Sequence, residues 1–246
     1  MYIYGKNPVK ELLSDSNSRI EEIIVSKDTK HDRPAELIKF AKERGIKISF
    51  LSRDAISRIS DSTAHQGIVA RVADFDYADI SHITDIAKNR GENLLLVILD
   101  HIEDPHNLGA IIRSANVLGA HGVVIPKDRA ASVTPAVIKV ASGATKHVPV
   151  AKVVNLAMLI KDLKQDGVWI VGADAGATPV HRENLGDSDL ALVVGNEGKG
   201  LSPRVKKECD FLVSIPQVGK VSSLNASVAA GVLLYEIMRR RNEDAK

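Results

Sequence analysis

From about residue 92 the chain alternates short, wholly apolar runs with loops rich in Gly, Asn and Pro and then with longer amphipathic stretches. LLLVILD, GVVIP, HVPVAKV, GVWIVGA and LALVVG are the strand candidates. Strands apolar on both faces predict a mostly parallel sheet covered by helices. The longest helix is expected from about Ser222 to Arg241, where Leu224, Val228, Val232, Tyr235 and Met238 or Arg239 are spaced to mark a face. Its closing run of three arginines suits the negative end of a helix dipole. Before residue 77 the pattern is finer: a helix from about Pro8 to Ser14, a strand IEEIIVS, a helix from about Arg33 to Arg44, a strand IKISF, a short helix from Asp54 to Ser60 and a strand GIVARV. Gly45 is the stop between the second helix and its strand. Such a unit is too small for a deep active site, so residues 1–76 are expected to be a recognition domain, 77–91 a polar, charged and weakly helical linker, and 92–246 the domain that carries chemistry.

Composition narrows the classes. With 44% apolar and 26% charged residues in 246, the chain is neither disordered nor fibrous, and its single cysteine excludes an internal disulfide. The N-terminus MYIYGKNPVK lacks the basic-then-apolar order of a secretory signal, and LLLVIL is stopped by Asp100 and His101 far short of a membrane span. A reducing cytoplasm is therefore the expected compartment. The net charge of +2 is shared across residue 76, so loose binding to any polyanion is not advertised, although a local patch can still grip a shaped RNA. At 4% aromatics, base-stacking platforms are not expected to dominate.

Three loops concentrate glycine and side-chain amides at the carboxyl ends of strands, where parallel α/β sheets bind ligands. In DPHNLGAIIR, Asn107 sits where a helix begins, Gly109 permits close approach, and Arg113 can aim a permanent charge toward a cleft. A plain N-cap followed by a surface arginine would read the same way. In VVGNEGKGL, Gly195, Asn196, Gly198 and Gly200 form a loop whose N–H groups can face a ligand, with Glu197 as its carboxylate. In IPQVGKVSSLNAS, Ser222, Ser223, Asn225 and Ser227 crowd one helix start with more polar side chains than a cap can use.

Other chemistries find less support. No G-x-G-x-x-G occurs, and GNEGKG has neither the spacing nor the Ser/Thr of a P-loop. Asp100, His101, Glu103, Asp104 and His106 are metal-type ligands, but adjacent donors in one connection rarely converge on an ion, so no metal is expected. Cys209 reads as a packed thiol, and His65, His121, His147 and His181 are isolated.

Taken in order, Asn107-x-Gly109-x-x-x-Arg113, Gly195-Asn196-Glu197-Gly198-x-Gly200, and Ile215-Pro216 followed by Ser223-Leu224-Asn225-x-Ser227 resemble the three motifs of the SpoU/TrmH family of RNA ribose 2′-O-methyltransferases. YGKNPVKELL and AHQGIVARV are similar to the substrate-binding domain of the subgroup that methylates a guanosine of 23S rRNA. The resemblance implies an α/β SPOUT domain with a parallel sheet and a deep trefoil knot, joined to a small L30e-like RNA-binding domain. It implies S-adenosylmethionine as cofactor, held by Val194, Gly195, Asn196, Ile215, Pro216, Gln217, Ser223, Leu224 and Asn225, and a homodimer whose active site is completed across the interface. It gives Arg113, Asn107, Glu197 and Asn225 as the catalytic group. Gln217 and Ala226 depart from the methionine and valine common in relatives, which touches cofactor-loop packing and leaves the reaction class alone.

Arginine is charged at any ordinary pH, so Arg113 is expected to stabilise charge and anchor a phosphate while phosphate or water takes the proton. Lys6, Lys10, Lys30, Arg33, Arg53 and Arg71 are candidates for gripping RNA. The alternatives are a tRNA methyltransferase, a catalytically silent RNA-binding or ribosome-assembly factor, and a metal-dependent hydrolase using the Asp100 to His106 cluster.

Overall fold

The computed structural model describes residues 1–15, 18–28, 34–183, 185–186, 188–219 and 223–244. The chain divides into two compact units, Met1–Asp76 and Tyr77–Lys246.

The first unit runs β1 (Tyr2–Tyr4), α1 (Lys6–Ser14), β2 (Ile20–Ser26), α2 (Ala35–Glu43), β3 (Lys47–Leu51), α3 (Arg53–Ser60) and β4 (Ile68–Val72). Its sheet has the order β1-β4-β2-β3, with β2 and β3 parallel and β4 antiparallel to both β1 and β2. Val9, Leu13, Leu37 and Ala41 of α1 and α2 pack with Ile23, Val25, Ile68 and Ala70 on one face, and Ile56 of α3 meets Ile24 and Val69 on the other. The sequence pattern gave no sign of β1, whose three residues are too few to set a period. Gly45 does break α2 from β3, with φ 67. The expected helix start at Arg33 lies outside the described residues.

The second unit runs α4 (Ile80–Arg90), β5 (Leu95–Asp100), α5 (Pro105–Val117), β6 (Gly122–Pro126), α6 (Pro135–Ala141), β7 (Val150–Val153), α7 (Leu156–Gln165), β8 (Trp169–Pro179), β9 (Leu190–Gly195), α8 (Pro203–Glu208), β10 (Phe211–Ser214) and α9 (Ala226–Asp244). The strands form one sheet in the order β10-β8-β9-β5-β6-β7, and every pairing in it is parallel. β5 and β9 at its centre are almost wholly buried, as their unbroken apolar runs require. HVPVAKV is extended only from Val150, because Pro149 has no N–H to give a ladder.

Two expectations change. The weak helical pattern in 77–91 is a full helix, α4, and it is packed: Ile83 and Ala87 lie in the core of the second unit beside Leu96 and Val124, so the segment is part of that unit. A Cβ on Gly122 would stand 2.6 Å from Ile83, so β6 and α4 meet at a bare backbone. The long helix begins at Ala226, and the face marked by Val228, Val232 and Tyr235 is its exposed one, at 50%, 40% and 54%. Ala226, Ala230, Leu233, Leu234 and Ile237 are the residues α9 buries within the unit. At its end Arg241 donates to the carbonyls of Asn93, Leu94 and Ser188, tying the helix to the starts of β5 and β9. Among the described residues no helix is long and apolar enough to cross a membrane.

Candidate active site

The carboxyl ends of β8, β9 and β10 open into a cavity of about 360 Å³, closed on its far side by α9. Val194, Gly195, Asn196, Glu197, Ile215, Gln217, Ser223 and Leu224 line it. Pro216 and Asn225, expected beside them, are not in its wall, and Ser222 lies outside the described residues. The cavity also takes Ala173, Asp174 and Ala175 from β8 and Ala229 and Leu233 from α9, which no loop pattern in the sequence indicated. The loop after β9 closes on itself: Asn196 and Gly200 exchange backbone hydrogen bonds of 3.1 and 2.8 Å, and a Cβ on Gly195 would strike the Gly200 carbonyl. Glycine is needed at Gly195 because the loop returns onto its backbone, and at Gly200 for its φ of 65.

Asp174 is the carboxylate on the β8 side. Lys206 donates to it at 2.5 Å and the N–H of Gly176 at 3.1 Å. The Lys206 bond, above all, holds its pKa below the usual carboxylate range.

The three loops meet in one hydrogen-bonded triangle. Nδ2 of Asn107 donates to Oε1 of Glu197 at 2.8 Å; Nδ2 of Asn225 donates to Oδ1 of Asn107 at 2.9 Å and to Oε1 of Glu197 at 2.5 Å. The N–H of Ala226 adds a fourth bond, to the same Glu197 oxygen, at 3.2 Å. Asn107 is not the cap of α5. Asp104 is, accepting from the N–H of His106, and Pro105 follows it at the first helical position. That frees the buried Asn107 amide to face the next loop. Asn225 serves twice, since its Oδ1 accepts from the N–H groups of Ser227 and Val228 and from the Ser227 hydroxyl. One of the four polar residues at this helix start, Asn225, thus does the capping, Ser227 bonds to it, and Ser223 faces the cavity.

Arg113 is not in the triangle. It lies six residues beyond Asn107, about 9 Å along α5 and about 120° around it, exposed and with no hydrogen bond or ion pair among the described residues. Gly109 permits close approach, but to protein: its Cβ would lie 2.7 Å from Cβ of Val140 and 2.9 Å from the Val137 carbonyl, so α5 rests directly on α6.

Several of the competing residues are otherwise engaged. Asp100 is fully buried, bonded to Nδ1 of His101 at 2.5 Å and to the N–H of Ser202 at 2.5 Å. Among the described residues no group of three His, Cys, Asp or Glu side chains could hold a metal ion. Burial pushes the Cys209 thiol up to about 12, and its Sγ donates to the Val205 carbonyl. His65 and His121 are buried and hydrogen-bonded, and burial lowers the pKa of each.

Residues 94–235 match the SpoU rRNA Methylase family, and residues 2–78 match a family described as RNA 2′-O ribose methyltransferase substrate binding. A Bacillus subtilis protein named as a TrmH family tRNA/rRNA methyltransferase is 44% identical over 98% of this chain and 96% of its own. A Coxiella burnetii protein named 23S rRNA (guanosine-2′-O-)-methyltransferase is 43% identical over 99% and 97%. Among solved structures, the SpoU methyltransferase AviRb of Streptomyces viridochromogenes, crystallised with S-adenosylmethionine, superposes with a TM-score of 0.64 at 26% identity, covering 99% of this chain and 91% of that one.

Proposed function

The chain belongs to the SpoU rRNA methylase family of S-adenosylmethionine-dependent RNA methyltransferases, and on that premise we propose that it methylates one ribose 2′-oxygen of a structured RNA, a guanosine of 23S rRNA. The observation that carries the reading is the Asn107–Glu197–Asn225 triangle, which joins three distant loops at a residue, Glu197, that also lines the cavity. The 23S target is supported by the full-length Coxiella relative, and the cytoplasm is where such an RNA is met.

The cavity residues fit the cofactor. Its volume is in the range of small-molecule sites, Ala173, Ala175 and Gly195 leave it open, and Leu224, Ala229 and Leu233 offer an apolar wall to an adenine ring. Backbone groups of 194–197 and 215–217 would meet its polar edges, and ionised Asp174 one of its cationic groups. When bound, the cofactor supplies an electrophilic methyl group on a sulfonium sulfur.

The protein's own work is positioning and charge. Oε1 of Glu197 takes every donor of the triangle, leaving Oε2 to accept from the incoming 2′-hydroxyl and set it in line. Arg113 stabilises the developing oxyanion and anchors a phosphate; as the O–methyl bond forms, the 2′-proton leaves along its hydrogen bond to Oε2 and passes on to water or that phosphate. Its distance from the triangle of its own chain supports a shared site: in a homodimer each Arg113 serves its partner's Glu197. The exposed Val228, Val232 and Tyr235 of α9 supply an apolar face for that pairing. The trefoil threading and the L30e-like character of the first unit belong to the same reading, supported by the family match. In that unit Lys6, Lys10 and Arg53 remain candidates for gripping RNA, Lys10 through a side chain held, among the described residues, only by a long, exposed pair with Glu36 at 3.7 Å. Arg71 is tied to Glu21 and Glu22, and Lys30 and Arg33 lie outside the described residues.

Alkali tests the reaction directly, because strand cleavage requires a free 2′-oxygen. Label transferred from methyl-labelled cofactor to RNA should be recovered in alkali-resistant dinucleotides. Label on base-containing mononucleotides would refute 2′-O transfer.

A further inference from the structure

Among the described residues, five that are not glycine have positive φ, and two of them, His101 at 62 and Arg129 at 53, line a single cavity of about 790 Å³. It shares Asn196 and Gly200 with the cofactor cavity, so the loop after β9 forms a wall common to both. Such backbone conformations persist where the surroundings enforce them, and they gather at ligand sites. His101 is enforced from two sides. Buried Asp100 binds its Nδ1, and its carbonyl accepts from Nδ2 of Asn196 at 3.1 Å. Its Nε2 has no partner among the described residues, and its side chain keeps 28% of its exposure.

Three cations reach this cavity from three segments: Arg129 after β6, Lys199 in the loop after β9, and Arg204 in α8. None has an ion pair or side-chain hydrogen bond among the described residues. Glu103 and Asp128, also in the wall, are equally without partners. All five side chains are exposed, so each is solvated in the free protein, and together, around a space larger than a phosphate needs, they offer both signs of charge to a ligand arriving from solvent. A nucleotide within a strand uses both: its phosphates seek the cations, and the N–H edge of its base seeks a carboxylate.

We propose that this cavity is an RNA subsite that receives a nucleotide of the substrate strand beside the one methylated, with its flanking phosphates on Arg129, Lys199 and Arg204. The inference rests on the RNA methyltransferase reading. The test uses the full-length protein, 23S rRNA from cells lacking it, and a variant with Arg129→Ala, Lys199→Ala and Arg204→Ala. Each phosphate contact contributes about 0.7 to 0.9 to the slope of log affinity against log salt. The triple variant should therefore lose about two to three from that slope and show an RNA KM raised at least about tenfold, with cofactor affinity and kcat at saturating RNA within about twofold of wild type. Should Lys199→Ala disturb the shared loop and cost cofactor affinity, the Arg129→Ala, Arg204→Ala double variant decides, with a loss of about one and a half. An unchanged slope and KM, with wild type methylating normally, overturns the subsite alone. A wild-type chain that transfers no methyl to RNA overturns the reading beneath it.

Discussion

Nδ2 of Asn107 donates to Oε1 of Glu197 across 2.8 Å, although ninety residues separate the two in the chain. The bond spans β5–α5 and the loop after β9, and Asn225 closes it from α9, so each motif residue is held by the other two. Removing the carboxylate strands two amide donors, one of them on a buried residue. Glu197→Ala is expected to lower stability by about 1–3 kcal/mol and kcat by about a hundredfold. Turnover near wild type would remove Glu197 from the reaction.

Gly109 carries a purely steric prediction. Gly109→Ala places a methyl against Val140 and the Val137 carbonyl and should cost about 1–3 kcal/mol by forcing α5 from α6. Thermal unfolding will show the loss; an unchanged midpoint would mean that the helices part without strain.

If Arg113 acts in trans, two dead variants rescue each other. Arg113→Ala and Glu197→Ala chains, co-expressed and pairing at random, form mixed dimers with one intact site, giving about a quarter of wild-type activity. Sites built within one chain would give none. Val232→Glu, on the exposed face of α9, should shift the sedimenting species from dimer to monomer and abolish methyl transfer together.

The two buried histidines set a pH dependence. Burial holds the pKa of His65 and of His121 below its ordinary value, the Glu92 contact opposing this at His121. Unfolding returns both rings to about 6.5, so the unfolded chain takes up protons that the folded one refuses. Stability is then full above about pH 6.5 and falls as the pH drops below it. Denaturant midpoints between pH 7 and 5.5 should decline, and less steeply in His121→Gln. A flat profile would contradict the account.

Much of this architecture was legible in the sequence because its signals are local. The strands of the second unit announce themselves as unbroken apolar runs, and Asn107, Glu197 and Asn225 by the loops that carry them. What escaped depends on distant partners. Asp174 enters the cavity because β8 continues past Gly172, where apolar patterning stops. The polar sequence of α4 reads as a linker until β6 is known to cover Ile83. The apolar spacing of Val228, Val232 and Tyr235 marks a real face of α9, but periodicity cannot say whether such a face is buried within the chain or left for another.

The most direct measurement is methyl transfer from labelled S-adenosylmethionine to total RNA of cells lacking the protein, followed by mapping of the labelled nucleotide. The account predicts label on a single guanosine ribose of 23S rRNA, lost in Glu197→Ala. Label confined to transfer RNA, or none from a protein that binds the cofactor, would contradict it.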